Sequence, residues 1–184
     1  MAAKADVKTV IVTGAASGIG RRVAQVFAAE GHAVLCADIA GEAVEALADE
    51  LSSAGFLARS LKVDVSDERQ IASATDAALE WTGRIDTVAA NAGIMVEGDA
   101  LSLSLSEWNR VMAVNATGAF LTARATLPHL IGSRGSLVFT ASTVGLAGMP
   151  GVAGYSASKG AVVALTHQLA ADYAKRGVRV NAVA

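Results

Sequence analysis

Several features that define common protein classes are scarce or missing in this sequence of 184 residues. It contains one cysteine, Cys36, so no intramolecular disulfide can form, which fits a reducing compartment such as the cytoplasm. The formal net charge is −2 and no run of like charge occurs, which argues against a nucleic-acid-binding surface. The three histidines, His32, His129 and His167, are scattered, and no His/Cys/carboxylate cluster indicates a metal site.

Long apolar runs are also missing. No uninterrupted apolar segment is long enough to span a bilayer, and Met1 to Asp6 lack the apolar stretch of a signal peptide. Aromatic residues make up only 4% of the chain and hydrophobic residues together 53%, so a core must consist mainly of aliphatic side chains and alanine. The length fits one domain. We therefore expect residues 1–184 to form a single cytoplasmic domain that binds neither membranes nor nucleic acids.

What the sequence does contain is a regular alternation of short apolar runs with stretches of helical period. The runs predict strands at residues 7–12, 33–37, 57–65, 85–90, 136–140 and 178–183. The stretches predict helices ending at residue 30 and spanning residues 42–53, 67–81, 106–131 and 155–175. We expect Ser66 to cap the third helix and Ser106 to open the fourth. The alternation implies a doubly wound parallel sheet of six strands, in an α/β/α arrangement of three layers.

Ligands of such sheets bind at the carboxyl ends of the strands, and a glycine-rich loop follows the first strand. Its glycines, Gly14, Gly18 and Gly20, are spaced G-x-x-x-G-x-G, which departs from the familiar G-x-G-x-x-G fingerprint. The physical argument is unchanged, because glycines allow the backbone to approach a pyrophosphate and the following helix N-terminus favours the anion. The alternative is a tight turn without a ligand.

Two aspartates stand where the second and third strands end. A carboxylate at Asp38 can accept hydrogen bonds from the adenosine ribose and would repel a 2′-phosphate. Neither Ser17 nor Ile39 offers a positive charge to such a phosphate, so the sequence favours NAD over NADP. Asp64 could meet the adenine amino group. The alternatives are a solvated loop aspartate for Asp38 and a turn or capping residue for Asp64.

A tyrosine and a lysine lie four residues apart near the start of the last predicted helix. Tyr155 and Lys159 therefore share one helix face, one turn from each other. Because a nearby positive charge favours the phenolate, the pair could act as a general acid and base on an alcohol or carbonyl oxygen. The alternative is an exposed surface pair.

Together these motifs resemble the short-chain dehydrogenase/reductase family, over essentially the whole chain and in order. The resemblance rests on Thr13 to Gly20, Asn91-Ala92-Gly93, Asn115, Ser142 and Tyr155-x-x-x-Lys159. It implies a Rossmann-like NAD(P)-binding domain. It also implies cofactor contacts from Thr13, Gly14, Ser17, Gly18, Ile19, Gly20, Asp38, Ile39, Asp64, Val65, Asn91, Ala92, Gly93, Tyr155 and Lys159. The family often has a second asparagine before the Asn91 turn, where this chain has Ala90.

The resemblance further implies a catalytic tetrad. Tyr155 would be the acid/base, Lys159 would assist it and hold the nicotinamide ribose, and Ser142 would hydrogen-bond the substrate oxygen. Asn115 would help to hold a water that links Lys159 to solvent. The chemistry of these side chains agrees, since the hydroxyls of Ser142 and Tyr155 can donate hydrogen bonds to negative charge that develops on a carbonyl oxygen.

The substrate would meet two loops, residues 94–105 and 143–154. Their apolar side chains are Met95, Val96, Leu146, Met149 and Val152, which could instead only pack the loops. Glu97 could face substrate or water. Family members normally continue past a strand like residues 179–184 with a substrate-covering segment and a seventh strand, which residues 1–184 do not include.

The expected function is NAD-dependent hydride transfer between the cofactor and a secondary alcohol or ketone. The alternative is a dinucleotide-binding module with little turnover. The resemblance also implies a homodimer or homotetramer that pairs through residues 106–131 and 155–175, where small residues permit close helix approach.

Overall fold

The computed structural model describes residues 7–184, so the expectation for Met1 to Asp6 lies outside the described residues. The strands are β1 (Thr9–Thr13), β2 (Ala33–Asp38), β3 (Ala58–Lys62), β4 (Thr87–Ala90), β5 (Ser136–Thr140) and β6 (Arg179–Val183). The α-helices are α1 (Gly18–Ala29), α2 (Gly41–Ser53), α3 (Glu68–Thr82), α4 (Leu105–Met112), α5 (Gly118–Ser133) and α6 (Ala153–Tyr173). The element types and their order agree with the prediction.

All six strands lie parallel in one sheet, in the order β3-β2-β1-β4-β5-β6. The chain winds outward from β1 in both directions, so the strand order reverses between β1 and β4. Thr13, the last residue of β1, is in register with Ala37 of β2 and Ala90 of β4. The predicted doubly wound, Rossmann-like sheet is confirmed, and its switch point is the place where such folds bind ligands.

Helices cover both faces of this sheet. Helices α1 and α2 pack against β1 and β2 around a cluster that includes Val12, Cys36 and Leu47. Helices α3, α5 and α6 pack on the other face, where Phe139 is the one fully buried aromatic side chain of the described core. The core is otherwise aliphatic and alanine-rich, as the composition predicts. Burial raises the pKa of the Cys36 thiol to about 12, so this residue behaves as a small apolar side chain.

The predicted start of α3 is wrong by one residue. Asp67, not Ser66, is the N-cap, and its carboxylate accepts hydrogen bonds from the N–H groups of Arg69 and Gln70. Ser66 instead donates its hydroxyl to the Asp64 carboxylate at 2.6 Å. A carboxylate competes well for the first-turn N–H groups because it also meets the positive end of the helix dipole.

The predicted start of α4 is also wrong, because Ser104 rather than Ser106 caps it. The Ser104 hydroxyl accepts a hydrogen bond from the Glu107 N–H, and the Glu107 side chain accepts one from the Ser104 N–H. This reciprocal pair is a capping box, which requires a glutamate three residues after the serine. Ser106 has no such partner at that spacing, since Asn109 stands there.

The long helix predicted over residues 106–131 is not continuous. A π-helical turn, Ala113–Thr117, separates α4 from α5 and contains Asn115. Helix α6 similarly gives way to a 3₁₀ turn, Ala174–Arg176, before Gly177 ends it with a φ of 82°. Such single π-helical turns often mark functional sites. No helix within residues 7–184 combines the length and the apolar character needed to cross a membrane.

Candidate active site

A cleft of about 450 Å³ opens at the carboxyl ends of the central strands, beside the switch point. The residues that line it are Gly14, Ser17, Gly18, Ile19, Asp38, Ile39, Val63, Asp64, Val65, Asn91, Ala92, Gly93, Ile94, Met95, Val114, Thr140, Tyr155 and Lys159. The cleft thus brings together the glycine loop, the ends of β2 and β4, and the Tyr155/Lys159 pair. A cleft at this position is typical of a nucleotide-binding α/β protein.

The glycine loop is shaped by steric demands that explain its spacing. Gly14 and Gly18 have φ values of 67° and 52°, a conformation that favours glycine. A Cβ atom on Gly20 would overlap the carbonyl oxygen of Gly14, so only glycine lets α1 begin against the loop. A Cβ atom on Gly18 would meet nothing within 4 Å, because this residue borders the open space of the cleft.

Asp38 connects the end of β2 to the glycine loop. One oxygen of its carboxylate accepts a hydrogen bond from the Ala16 N–H at 2.9 Å, and the other accepts one from the Ala40 N–H at 2.9 Å. A carboxylate has about four lone-pair sites, so both oxygens keep acceptor capacity for hydroxyl groups in the cleft. Asp38 therefore supports the loop as well as facing the cleft.

Asp64 has an internal partner too. Its Oδ1 atom accepts hydrogen bonds from the Ser66 N–H and hydroxyl, while the Asp64 N–H donates to Gln70. The turn role that the sequence left open for Asp64 is therefore present, and the residue also lines the cleft.

The floor of the cleft is fixed by hydrogen bonds between β1, β4 and β5. The Thr13 hydroxyl accepts hydrogen bonds from the N–H groups of Asn91 and Ala92, at 3.1 and 3.2 Å. The Asn91 side chain donates to the Gly14 carbonyl and accepts from the Thr140 hydroxyl. Thr13 and Gly20 are not themselves among the lining residues, so their contribution is to fix the backbone of the residues that are.

Lys159 is the cation of this cleft and is only 4% exposed. Its Nζ atom donates to the carbonyl oxygen of Thr140 at 2.6 Å and lies 5.6 Å from the centroid of the Tyr155 ring. Burial lowers the pKa of the Lys159 ammonium below its usual value. The ammonium and the phenol are thus held on one side of the cleft, as their helical spacing predicts.

The side chain of Asn115 makes three hydrogen bonds, which involve both its oxygen and its nitrogen. Its Oδ1 atom accepts from the Ile94 N–H, and its Nδ2 atom donates to the Ile94 carbonyl, each at 2.8 Å. Nδ2 also donates to the hydroxyl of Ser158 at 2.9 Å, and that hydroxyl donates to the Tyr155 carbonyl. The side chain therefore ties the π-helical turn to the loop after β4 and to the first turns of α6.

Ser142 is held by a hydrogen bond within its own turn. It follows β5, and its hydroxyl accepts a hydrogen bond from the Val144 N–H at 3.4 Å. Tyr155 and Lys159 line the cleft described above, whereas Asn115 and Ser142 are not among its lining residues.

Sequence reasoning missed three lining residues: Val63, Val114 and Thr140. Val63 and Thr140 stand at strand ends, and the strand-end rule that flagged Asp64 could have found them. The contact of the Thr140 carbonyl with Lys159 has no sequence signal, because every residue carries a carbonyl. Val114 is brought in by the Asn115 contacts, which the sequence does not reveal.

The two loops expected to meet the substrate are joined to each other. The Gly98 N–H donates to the Gly151 carbonyl at 2.7 Å, and the Ala153 N–H donates to the Gly98 carbonyl at 3.0 Å. This isolated parallel bridge between Gly98 and Val152 ties residues 94–104 to the first residue of α6. Nearby, Met95 and Met149 are exposed, whereas Val152 is buried in the loop packing.

Comparison with known proteins agrees with this geometry. The family model for the short chain dehydrogenase matches residues 8–184. The chain is 41% identical over 178 residues to meso-2,3-butanediol dehydrogenase of Serratia marcescens, a match that covers 97% of this chain and 70% of that protein. It is 36% identical over 178 residues to 3-oxoacyl-[acyl-carrier-protein] reductase FabG of Thermotoga maritima, covering 96% of this chain and 72% of that protein.

A solved structure is similar as well. The crystal structure of gox2181 has a TM-score of 0.93 and 31% sequence identity, and the match covers 97% of this chain and 71% of that one. The chain therefore belongs to the short-chain dehydrogenase family, which confirms the resemblance drawn from the motifs. Members of this family are oxidoreductases that bind a nicotinamide dinucleotide.

Proposed function

We propose that this protein is an NAD-dependent, cytoplasmic oxidoreductase that interconverts secondary alcohols and ketones. The observation that carries the proposal is the meeting of the Tyr155/Lys159 pair with the glycine loop and Asp38 in one cleft. A proton-transfer pair and an anion-binding loop at the same switch point suit a dinucleotide and a small substrate bound side by side. Residues 1–184 would act as one cofactor-binding domain.

The cleft residues fit the dinucleotide. Gly18 leaves open space beside the N-terminus of α1, which favours a pyrophosphate. The free acceptor capacity of Asp38 suits two ribose hydroxyls, and the Lys159 ammonium lies where a second ribose would approach Tyr155. When bound, the nicotinamide supplies or accepts the hydride.

The chain's own residues handle the oxygen of the substrate. In the direction of reduction, the Tyr155 hydroxyl donates its proton to the oxygen that becomes the alcohol, and in the reverse direction the phenolate takes it back. The Lys159 ammonium, 5.6 Å from the centroid of the Tyr155 ring, supplies positive charge beside the proton that moves. When the substrate is bound, Ser142 supplies a second hydroxyl donor to the same oxygen.

The preference for NAD follows from charge. Asp38 places a carboxylate at the end of the cleft where the adenosine ribose would lie, and neither Ser17 nor Ile39 beside it carries a positive charge. A 2′-phosphate in that position would meet the Asp38 carboxylate, and none of the residues that line this end of the cleft carries a positive charge. Binding of NADPH with equal or higher affinity than NADH would contradict this assignment.

The test is turnover of secondary alcohols, followed by NADH absorbance. 2,3-Butanediol is the first substrate to try, because a relative at 41% identity carries it in its name. We expect Tyr155→Phe to reduce turnover by about 1,000-fold while NADH binding, followed by fluorescence, persists. Tyr173→Phe, at the far end of the same helix, is the matched control. NADH binding without turnover of any alcohol or ketone would favour the binding-module alternative.

A further inference from the structure

We propose that the substrate of this site is an uncharged secondary alcohol or ketone, and that the site discriminates against carboxylate, phosphate and other anionic substrates. The inference rests on the proposed function and narrows its substrate class. It is carried by the distribution of charge along the two walls that enclose the reacting end of the cleft.

The two walls contain no basic side chain. Residues 85–109 run from β4 through the loop to α4 without a lysine, arginine or histidine. Residues 135–158 run from β5 through the second loop into α6, and they also contain none. An anionic substituent bound between these walls would therefore find no cation in either wall to replace its water. Removing an unpaired charge from water is strongly unfavourable.

Two cations stand just outside these stretches of sequence. Lys159 is 4% exposed, and its Nζ atom donates to the Thr140 carbonyl, so it is not free to pair with a substrate anion between the loops. Arg110, on the exposed surface of α4, follows the wall by one residue, and its charge acts on the exposed Glu107: the Ser104 hydrogen bonds first, and the Arg110 charge further, lower the pKa of that carboxyl.

The acidic side chains of the same walls add to the discrimination. Asp99 is taken up by its own turn, where it accepts hydrogen bonds from the Leu101 and Ser102 N–H groups. Glu97 is exposed and lies two residues from Met95, which lines the cleft. Glu97 therefore brings a negative charge to the entrance on the substrate side.

The remaining side chains of these walls are apolar. Met95, Leu146 and Met149 expose 54%, 67% and 49% of their surfaces. Met95 lines the cleft, and the other two lie in the loop that the Gly98–Val152 bridge joins to it. Apolar surface of this kind gains from contact with a hydrocarbon group and gives nothing to an ionised one. The walls thus suit a short alkyl or hydroxyalkyl substituent on the reacting carbon.

The experiment compares substrates that differ only in charge. 3-Oxobutanamide and 3-oxobutanoate share one carbon skeleton and one ketone, and each is supplied with NADH to the wild-type protein. We expect kcat/KM for the amide to exceed that for the acid by about 100-fold, because the unpaired carboxylate must be desolvated. Equal values, or a higher value for the acid, would overturn the proposal.

A charge-reversal pair checks that the walls are responsible. Glu97→Lys should shift the amide-to-acid ratio toward the acid by about tenfold, as an opposite charge at short range would. Glu80→Lys makes the same change on the exposed face of α3, near the end that contacts the first residue of β1, at the opposite edge of the sheet from the cleft, and it should leave the ratio unchanged. An amide-to-acid ratio that does not change in Glu97→Lys, or that changes equally in Glu80→Lys, would contradict the role of the walls.

A failure of the proposed function is distinguishable from a failure of this inference. If no ketone is reduced, the proposed function fails, and the inference is then decided by binding of the same two compounds to the NADH complex. The inference is supported if the amide changes the fluorescence of bound NADH at concentrations well below those at which the acid does so. Equal or tighter binding of the acid would overturn it.

Discussion

At the scale of single residues, Asp38 combines two tasks that are usually discussed separately. Its carboxylate faces the cleft, and it also holds the glycine loop through the Ala16 N–H. We predict that Asp38→Ala weakens both NADH and NADPH binding and costs about 1–2 kcal/mol of stability, since two backbone N–H groups lose their acceptor. Ile39→Arg keeps the carboxylate and adds a cation, so it should raise NADPH affinity without lowering the melting temperature.

The two variants separate support of the loop from selectivity. Dissociation constants for NADH and NADPH, measured with the melting temperature of each protein, make the comparison. A stable Asp38→Ala protein that simply changes its preference to NADPH would contradict a supporting role for the carboxylate.

For Lys159, the proposed function and the stability of the fold make opposite demands, because the charge that would assist catalysis is costly to bury. Its ammonium is buried with a backbone carbonyl as partner, and no carboxylate within the described residues forms a salt bridge with it. We predict that Lys159→Met abolishes turnover and raises the free energy of unfolding by about 1 kcal/mol at neutral pH. Lys175→Met, at an exposed position after α6, should change neither quantity.

The pH dependence gives this prediction a sign. Burial lowers the pKa of Lys159 in the folded state, whereas the unfolded chain keeps a value near 10.5. Between those two values the unfolded chain binds more protons, so wild-type stability rises with pH in that window. The advantage of Lys159→Met should therefore shrink as pH rises toward 10.5. Denaturant titrations of both proteins at several pH values would measure this difference in the free energy of unfolding. A difference that grows as pH rises would rule out burial of the ammonium as its cause.

At the scale of elements, the contact between α6 and the π-helical turn depends on one hydroxyl. Ser158 is 0% exposed and connects Asn115 Nδ2 to the Tyr155 carbonyl. We predict that Ser158→Ala costs about 1–2 kcal/mol of stability, because the buried amide loses one of its acceptors. It should also lower kcat more than it raises KM, since the helix turn that carries Tyr155 loses its support.

A neighbouring serine provides the control. The Ser156 hydroxyl lies two residues away on the same helix, is buried, and has no hydrogen-bond partner within the described part of the chain. Ser156→Ala should therefore be neutral or stabilising. Equal losses in the two variants, read from denaturant unfolding, would show that the Ser158 bond has no special role.

The elements also show what a sequence can and cannot predict. The four central strands, β1, β2, β4 and β5, could be predicted from their apolar runs, because buried parallel strands are continuous apolar segments. The edge strands β3 and β6 carry charged and polar residues, and their prediction depended on the alternation of strands and helices along the chain. The π-helical turn at Asn115 was not predictable, since its residues have the same helical period on either side. Cap positions depended on which partner lay in reach: Glu107 selects Ser104, and no single-residue propensity decides between Ser104 and Ser106.

The residues of the candidate site also fall into those that the sequence could predict and those that it could not. Side chains such as Asp38, Tyr155 and Lys159 were identified because their chemistry is visible in the sequence, and the structure brings them into one cleft. Backbone partners such as the Thr140 carbonyl were invisible, since only the fold determines which carbonyl faces an ammonium. The hydrogen bond from the Val144 N–H to the Ser142 hydroxyl also depends on the turn after β5, which the sequence does not specify.

At the scale of the whole molecule, the outer faces of α5 and α6 offer a surface for self-association. Phe120 is 43% exposed on α5, and Ala164 and Ala171 are exposed on α6, whereas Gly118 and Ala123 face inward. We predict a dimer or tetramer that pairs through these two faces, because an exposed aromatic ring among small residues suits a self-complementary contact.

Charge placed at the centre of this surface should dissociate the assembly. Ala164→Glu is expected to reduce the mass measured by light scattering to that of a smaller species, and Ala46→Glu on the exposed face of α2 should not. An assembly that survives Ala164→Glu with its mass unchanged would place the interface elsewhere.

The bridge between Gly98 and Val152 has a consequence for how such a protein diversifies. The loop over residues 94–104 and the loop before α6 share backbone hydrogen bonds, and one of those bonds ends on the first residue of the helix that carries Tyr155. A change in one loop is therefore transmitted to its partner and to the catalytic helix. The two loops should be inherited as a pair: a chimera that takes one of them from a relative would mismatch the bridge, and a chimera that takes both would preserve it. New specificities in this architecture are then expected to arise by coupled substitutions across the bridge rather than by changes accumulated in a single loop.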